Sequence, residues 1–237
     1  MSLFLMQPSF LPWIGFFDMA LSADKLVFLD DVKFSKGSWV NRNRIKTKKG
    51  LEWITVPLKK NRSENIADIE IFVKSNLLSK IQNSIEQSYN KSEYFNKYQK
   101  DFFNILSSSF NQGKLSDMNQ ELIIWILKKM KVEKKIYRSS DLKVEGKKVE
   151  RIVNICKKLK ENNYITTPGS TEYLRKEIDL FKNNNINIQI HNYLHPTYKQ
   201  LYGKFLSHAS IIDLLFNEGQ HSLDIIYSGR LKSLNLK

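Results

Sequence analysis

The chain has 237 residues, of which 41% are hydrophobic and 26% charged, a length and composition that bury a real core. No apolar run approaches the ~20 residues of a membrane span, and the lone cysteine, Cys156, excludes an internal disulfide. A net charge of +14 raises nucleic acid as a partner, but 31 of the 38 basic residues are lysine and no arginine-dense stripe stands out.

Ser2 to Met6 is a short apolar run read as a buried strand, punctuated by Gln7-Pro8-Ser9 and Pro12. Ile14 to Ser22 carries Phe17, Ala20 and Leu21 at helical spacing, and Lys25 to Leu29 is a second buried strand ending on Asp30-Asp31. Strand, loop, helix and strand in thirty residues make a βαβ unit with parallel strands and a right-handed crossover. A hairpin follows, from Trp39 to Thr47, through Lys48-Lys49-Gly50, and back along Leu51 to Pro57. Asn61 to Asn65 reads as a polar loop and Ile69 to Val73 as a short strand.

Three amphipathic helices are predicted next, over Leu77–Tyr89, Glu93–Phe110 and Asn119–Met130. Then come a strand at Lys135–Tyr137, a helix at Val149–Leu159, a strand at Tyr164–Thr166 and a helix at Thr171–Phe181. A strand at Ile186–Ile190 and a short helix at Ser210–Phe216 complete the pattern. Strands alternating with helices predict one α/β domain over 1–237. Its sheet should be mainly parallel and Rossmann-like, with a β-hairpin near the N-terminus and a helical insertion over about 77–131.

In such sheets, ligands sit beyond the carboxyl ends of the strands. Gln7, with Trp13 and Gly15 opening the first helix, occupies one such end. Asp30 and Asp31 occupy another, where adjacent side chains point apart and at most one enters a site. Ser170 and Tyr173 lie at the helix start after the strand at Tyr164, where free N–H groups suit an anion or where Ser170 or Thr171 simply caps the helix. Asn41-Arg42-Asn43-Arg44-Ile45-Lys46 places two poor strand formers on one strand face, which implies hydrogen-bonding work. The basic face of Arg42, Arg44 and Lys46 is then either solvated or an anion clamp. His195, in the loop His195-Pro196-Thr197-Tyr198-Lys199-Gln200, is a candidate acid or base. Scattered histidines and one cysteine make no metal-site spacing, so no metal and no cofactor are expected. No Gly-x-Gly-x-x-Gly or Walker loop is present. Cys156 falls inside a predicted helix rather than at a nucleophile's position.

Several of these strings together resemble the WbqC-like family: Met6-Gln7-Pro8, Leu11-Pro12-Trp13-Ile14-Gly15-Phe16-Phe17, Phe28-Leu29-Asp30-Asp31-Val32 and Asn41 to Lys46. The resemblance continues through Trp53 to Pro57, Pro196 to Gln200 and Ser210 to Gly219. It implies a setting among genes for O-antigen and other surface polysaccharides, near those making nucleotide-linked amino sugars. The expected activity is acyl or aminoacyl transfer to such a sugar, in the cytoplasm. On this reading Arg42, Lys46 and Ser170 hold phosphates, Gln7, Asn41 and Asn43 orient the substrate, and Asp31 or His195 takes the proton. Trp13, Asp30, Tyr173, Tyr198 and Gln200 complete the binding set. Two alternatives stand beside it. Pro12-Trp13-Ile14-Gly15 occupies the place of the His-x-Gly-His loop of nucleotidyl transferases, without either histidine. The positive charge would serve an RNA-binding module, or a tRNA carrying the aminoacyl donor.

Overall fold

A computed structural model describes residues 1–59 and 65–236. The polar loop expected over Asn61 to Asn65 lies, but for its last residue, outside them.

Strand β1 (Ser2–Met6) is central, and helix α1 (Ile14–Ser22) carries the chain across to a parallel partner, β2 (Lys25–Phe28). Phe4 feeds a hydrophobic cluster on one face of the sheet, while Leu3 and Leu5 feed a second cluster on the other. A strand covered on both faces has to read as a continuous apolar run, as this one does. Strands β3 (Arg42–Thr47) and β4 (Gly50–Thr55) form a separate antiparallel hairpin turning at Lys48-Lys49, with Ile45 and Ile54 sunk into the first cluster.

The middle of the chain is helical. Helices α2 (Ser75–Tyr89), α3 (Phe95–Gln112) and α4 (Leu115–Lys129) pack their apolar faces into the first cluster. Gly113 ends α3 at φ +82°, a left-handed cap that glycine adopts without strain. Strand β5 (Lys135–Arg138) returns to the sheet, followed by the single turn α5 (Ser139–Leu142) and α6 (Lys148–Lys158). Then come β6 (Asn163–Thr166), α7 (Thr171–Lys176), α8 (Ile178–Lys182) and β7 (Asn187–Ile190). Helices α9 (Ile211–Glu218) and α10 (Ser222–Ser228) and a short β8 (Leu234–Asn235) close the chain.

Among the described residues six strands form one sheet in the order β5-β2-β1-β6-β7-β8, parallel except for β8. The connection out of β1 runs to one side of the sheet and that out of β6 to the other. The strand order therefore reverses between β1 and β6, where a doubly wound sheet opens its ligand crevice.

Two expected elements differ. Ile69 to Val73 is not a strand: Ile71 and Glu70 make single-residue bridges to Leu58 and Lys114. The alternation read there comes from Ile69 and Ile71 being buried while their backbone bonds to several segments. The helix expected over Thr171–Phe181 breaks at Glu177, whose φ of −122° leaves the helical region. Among the described residues, no helix is long and apolar enough to cross a membrane.

Candidate functional site

The loop from Gln7 to Trp13, leaving the switch-point strand, is held in an unusual shape. Leu11 sits at φ +43°, a conformation that costs a non-glycine residue free energy. Three buried side chains hold it there. Asn43 donates to the Phe10 carbonyl at 3.1 Å and the Leu11 carbonyl at 2.7 Å, and its own oxygen accepts from the Arg44 N–H at 2.8 Å. Ser210 Oγ donates to the Leu11 carbonyl at 2.8 Å, and Asn119 donates to the carbonyls of Pro8 and Val40. Asn41, just before β3, and Asn43 on it both do hydrogen-bonding work, and in Asn43 that work is on the loop.

Gly15 is set by the same loop. A Cβ there would collide with the six-membered ring of Trp13, which folds back over the first turn of α1. Only glycine lets that indole lie flat against the helix start. Trp13 then stacks on His208 at 4.9 Å between ring centroids and on His195 at 5.9 Å.

Beside this stack opens a cavity of about 390 Å³, walled by Trp13, Phe16 and Trp39, with His208, Arg44 and Gln7 among its polar lining. The volume falls in the ~300–1,000 Å³ range of ligand pockets, and a mostly aromatic wall with a few polar groups suits a planar or sugar ring. The Gln7 amide has no hydrogen-bond partner among the described residues.

The imidazoles differ in availability. His195 Nε2 accepts from the His208 backbone N–H at 3.1 Å, so its proton sits on Nδ1, which donates to the Pro196 carbonyl at 2.9 Å. Both ring nitrogens are committed. His208 touches Ser207 Oγ through Nδ1 at 2.8 Å, and its Nε2 has no partner among the described residues. Burial, followed by the nearby Arg44 charge, lowers the His208 pKa from 6.5, so the ring is neutral at pH 7. Sequence reasoning passed over His208; it follows Ser207 in a loop whose only signals are Gly203 and its polar composition.

A buried polar network links β3, α2, α9 and the loop over 198–208. Asp213 Oδ2 accepts from the Tyr89 hydroxyl at 3.0 Å, and Oδ1 accepts from Gln200 Nε2 at 2.8 Å. Tyr198 joins through its hydroxyl, which accepts from Gln200 at 3.3 Å. Lys46 Nζ donates to the Lys204 carbonyl at 2.5 Å, and the side chain is 2% exposed. Burial pulls the Lys46 pKa down, opposed by the charge of Asp213. Lys46, Tyr198 and Gln200 therefore brace the loop over 198–208 rather than line the cavity. Burial raises the Asp213 pKa from 3.8 to about 6, against the lowering effect of Tyr198, Tyr89, Gln200 and Lys46. The folded state then holds this proton more tightly than the unfolded chain does. Stability from Asp213 is full below pH 4 and is lost as pH rises through 6, by about 3 kcal/mol once the carboxyl has ionised, near pH 7. Urea titrations across that window should show the stability of the wild type falling by that amount relative to Asp213→Asn, which has no proton to lose. A difference independent of pH would refute the shift.

The remaining candidates sit elsewhere. Asp30 is buried and accepts from Ser139 Oγ, the Ser140 N–H and Ser140 Oγ, pinning the start of α5. Asp31 accepts from Ser139 and is ion-paired with Arg151. Arg151 and Tyr173 line a second cavity of about 530 Å³, between α6 and α7, which shares no lining residue with the first. Ser170 bonds to Thr167 Oγ1 and does not cap α7 with its side chain. Asn41 donates to the Val56 carbonyl, leaving its buried oxygen without a partner. Arg42 lies over the ring of Trp53. Thus Gln7, Trp13 and Asn43 converge on the cavity with His195 behind them, and Asp30, Asp31, Ser170 and Tyr173 do not. Among the described residues no cluster of three or more His, Cys, Asp or Glu side chains has metal-binding geometry.

The fold and this geometry define an α/β protein with an aromatic-walled cavity at the carboxyl end of its central parallel strand, β1. The chain belongs to the WbqC-like protein family, whose model matches residues 7–225. It is 29% identical over 229 residues to the uncharacterized protein Rv1507c of Mycobacterium tuberculosis, covering 94% of this chain and 96% of that protein. No solved structure matches it.

Proposed function

We propose that this protein is a transferase that places an acyl or aminoacyl group on the amine of a nucleotide-linked sugar, in surface-polysaccharide (O-antigen) biosynthesis. The observation that carries the reading is the aromatic cavity at the strand ends with a neutral imidazole, His208, on its wall. Trp13 and Trp39 offer faces for the planar or sugar ring, Gln7 a donor and acceptor for hydroxyls, and Arg44 a charge for phosphate. The amine nitrogen attacks the carbonyl carbon of an activated ester or thioester donor, and the C–N bond forms as the bond to the donor oxygen or sulfur breaks. His208 Nε2 takes the proton from nitrogen and returns it to the departing heteroatom. This assigns to His208 the role that the sequence offered to Asp31 or His195, whose acceptor atoms are engaged.

Thermal shift against nucleotide-linked amino sugars, free nucleotides and ATP tests the binding step. At 100 Kd a bound ligand adds about 2.7 kcal/mol of stability, a readily measured shift. A nucleotide-linked amino sugar should stabilise the wild type, and Trp13→Ala should abolish the shift. His208→Ala should retain binding and lose about 100-fold or more in kcat. The acid limb of the wild-type pH–rate profile should fall below pH 6.5, because the His208 pKa is lowered. Stabilisation by ATP but by no nucleotide sugar would replace this reading with nucleotidyl transfer; no shift by any of them would end it.

A further inference from the structure

We infer that the outer face of the β3–β4 hairpin binds unpaired nucleotides of a single-stranded nucleic acid. This goes beyond the transferase reading: it shares Trp39 and Arg44 with that cavity and adds Trp53 and Arg42, which do not line it. Trp39 and Trp53 are 46% and 47% exposed, their rings 5.0 Å apart at 41°. The Arg42 guanidinium lies 4.3 Å from the centre of the Trp53 ring, and Arg44 lies 5.5 Å from Trp39 and 5.7 Å from Trp53. The register accounts for this: Arg44 is directly opposite Trp53, and Arg42 is two residues along on the same face.

Neither guanidinium has a carboxylate partner among the described residues, and the Nε of each is buried without a hydrogen bond. Two large aromatic rings left half in water, with unpaired arginines laid on them, are costly as a mere surface. They match what a single strand offers: base faces to stack on tryptophan and phosphates to meet guanidinium groups. Charge on either side agrees. Trp53 also lines a groove of about 590 Å³ that carries Lys48, Lys49 and Lys91, with Glu52 its one acid among the described residues. Trp39 and Arg44 line the aromatic cavity at the other end. A duplex, with its bases stacked inside, cannot use the platform.

Fluorescence titration of the full chain with six-nucleotide RNA and DNA single strands, the matching duplexes and a mononucleotide decides the matter. Single strands should quench tryptophan emission and bind at least about 10-fold more tightly than duplex or mononucleotide, the RNA-to-DNA ratio telling which nucleic acid is the partner. Trp53→Ala should lose about 10-fold, while Trp53→Phe retains binding. Arg42→Gln should weaken binding and reduce the salt slope by about one. Trp53→Leu keeps apolar bulk without the aromatic face and decides the point if the alanine variant unfolds. Equal affinity for duplex and single strand, or unchanged binding in a folded Trp53→Leu variant, would overturn the inference. Trp13→Ala separates it from the transferase reading: it should abolish nucleotide-sugar binding and leave the oligonucleotide bound.

Discussion

Replacing Asp18 by alanine should lower the folding free energy by about 3–5 kcal/mol, because it breaks a buried ionic cluster by removing its only anion. Asp18 is fully buried on α1, with Oδ2 2.6 Å from His191 Nε2 and Oδ1 accepting from Arg230 Nε at 2.8 Å. Arg230 also donates to the Asp18 carbonyl at 3.3 Å. Three distant segments meet there: the crossover helix, the end of β7 and the chain after α10. Without the carboxylate, Arg230 keeps some access to water, but His191 stays buried beside a cavity. At this chain length the loss corresponds to a Tm lower by about 6–20 °C. Asp18→Asn fills the space and should recover part of the loss, although its amide presents hydrogens to one of two donors. A melt of Asp18→Ala within about 2 °C of wild type would show the cluster to be stabilised no better than water solvates its parts.

None of that cluster was visible in the sequence, and the reason is physical. Periodicity reports which face of an element is buried, so β1, α1, β2, the hairpin and the three central helices could be read from apolar spacing. The mainly parallel order followed from the alternation of strands with helices. It does not report which polar residue will be buried against which, since Asp18, His191 and Arg230 are separated by up to 212 residues. Short elements escaped for a different reason. Helix α5 is four residues and β8 two, below the length at which any period can be counted. Ile69 to Val73 misled because burial of alternate residues is also the signature of a loop stretched over a core.

The candidate site was legible to the extent that local backbone chemistry announced it. Pro12-Trp13-Ile14-Gly15 marked the strand end beside which the aromatic cavity opens, and Gly15 has its explanation in the Trp13 ring. Asn41 and Asn43 pointed to hydrogen-bonding demand at the start of β3. Polar residues at other strand ends looked equivalent, yet Asp30 caps a helical turn and Asp31 meets Arg151, uses that only the fold decides. His208 was invisible because its role depends on a loop that closes over Trp13 from nearly 200 residues away, a distance no spacing rule spans. Composition averages charge over the chain, whereas Arg42, Arg44, Trp39 and Trp53 lie together as one small group.

Asn43→Ala separates a residue that touches ligand from one that shapes the site. Its amide donates to two carbonyls and accepts one N–H, all within the fold, and the side chain is 1% exposed. Alanine leaves the Phe10 carbonyl and the Arg44 N–H without these partners, while Leu11 keeps only the Ser210 hydroxyl. Two buried groups left unpaired cost roughly 2–4 kcal/mol, a fall in Tm of about 4–16 °C. The strained Leu11 loses its strongest tie, so the loop relaxes and Trp13 no longer sits over Gly15. Ligand affinity should fall together with stability. Asn43→Asp sharpens the test, since a carboxylate still accepts from Arg44 but turns lone pairs on the two carbonyls. It should be at least as destabilising as alanine, even though a polar group stays at the cavity wall. If both variants instead melt like the wild type and lose only binding, Asn43 addresses ligand directly. The support for the loop would then rest on Ser210 and Asn119.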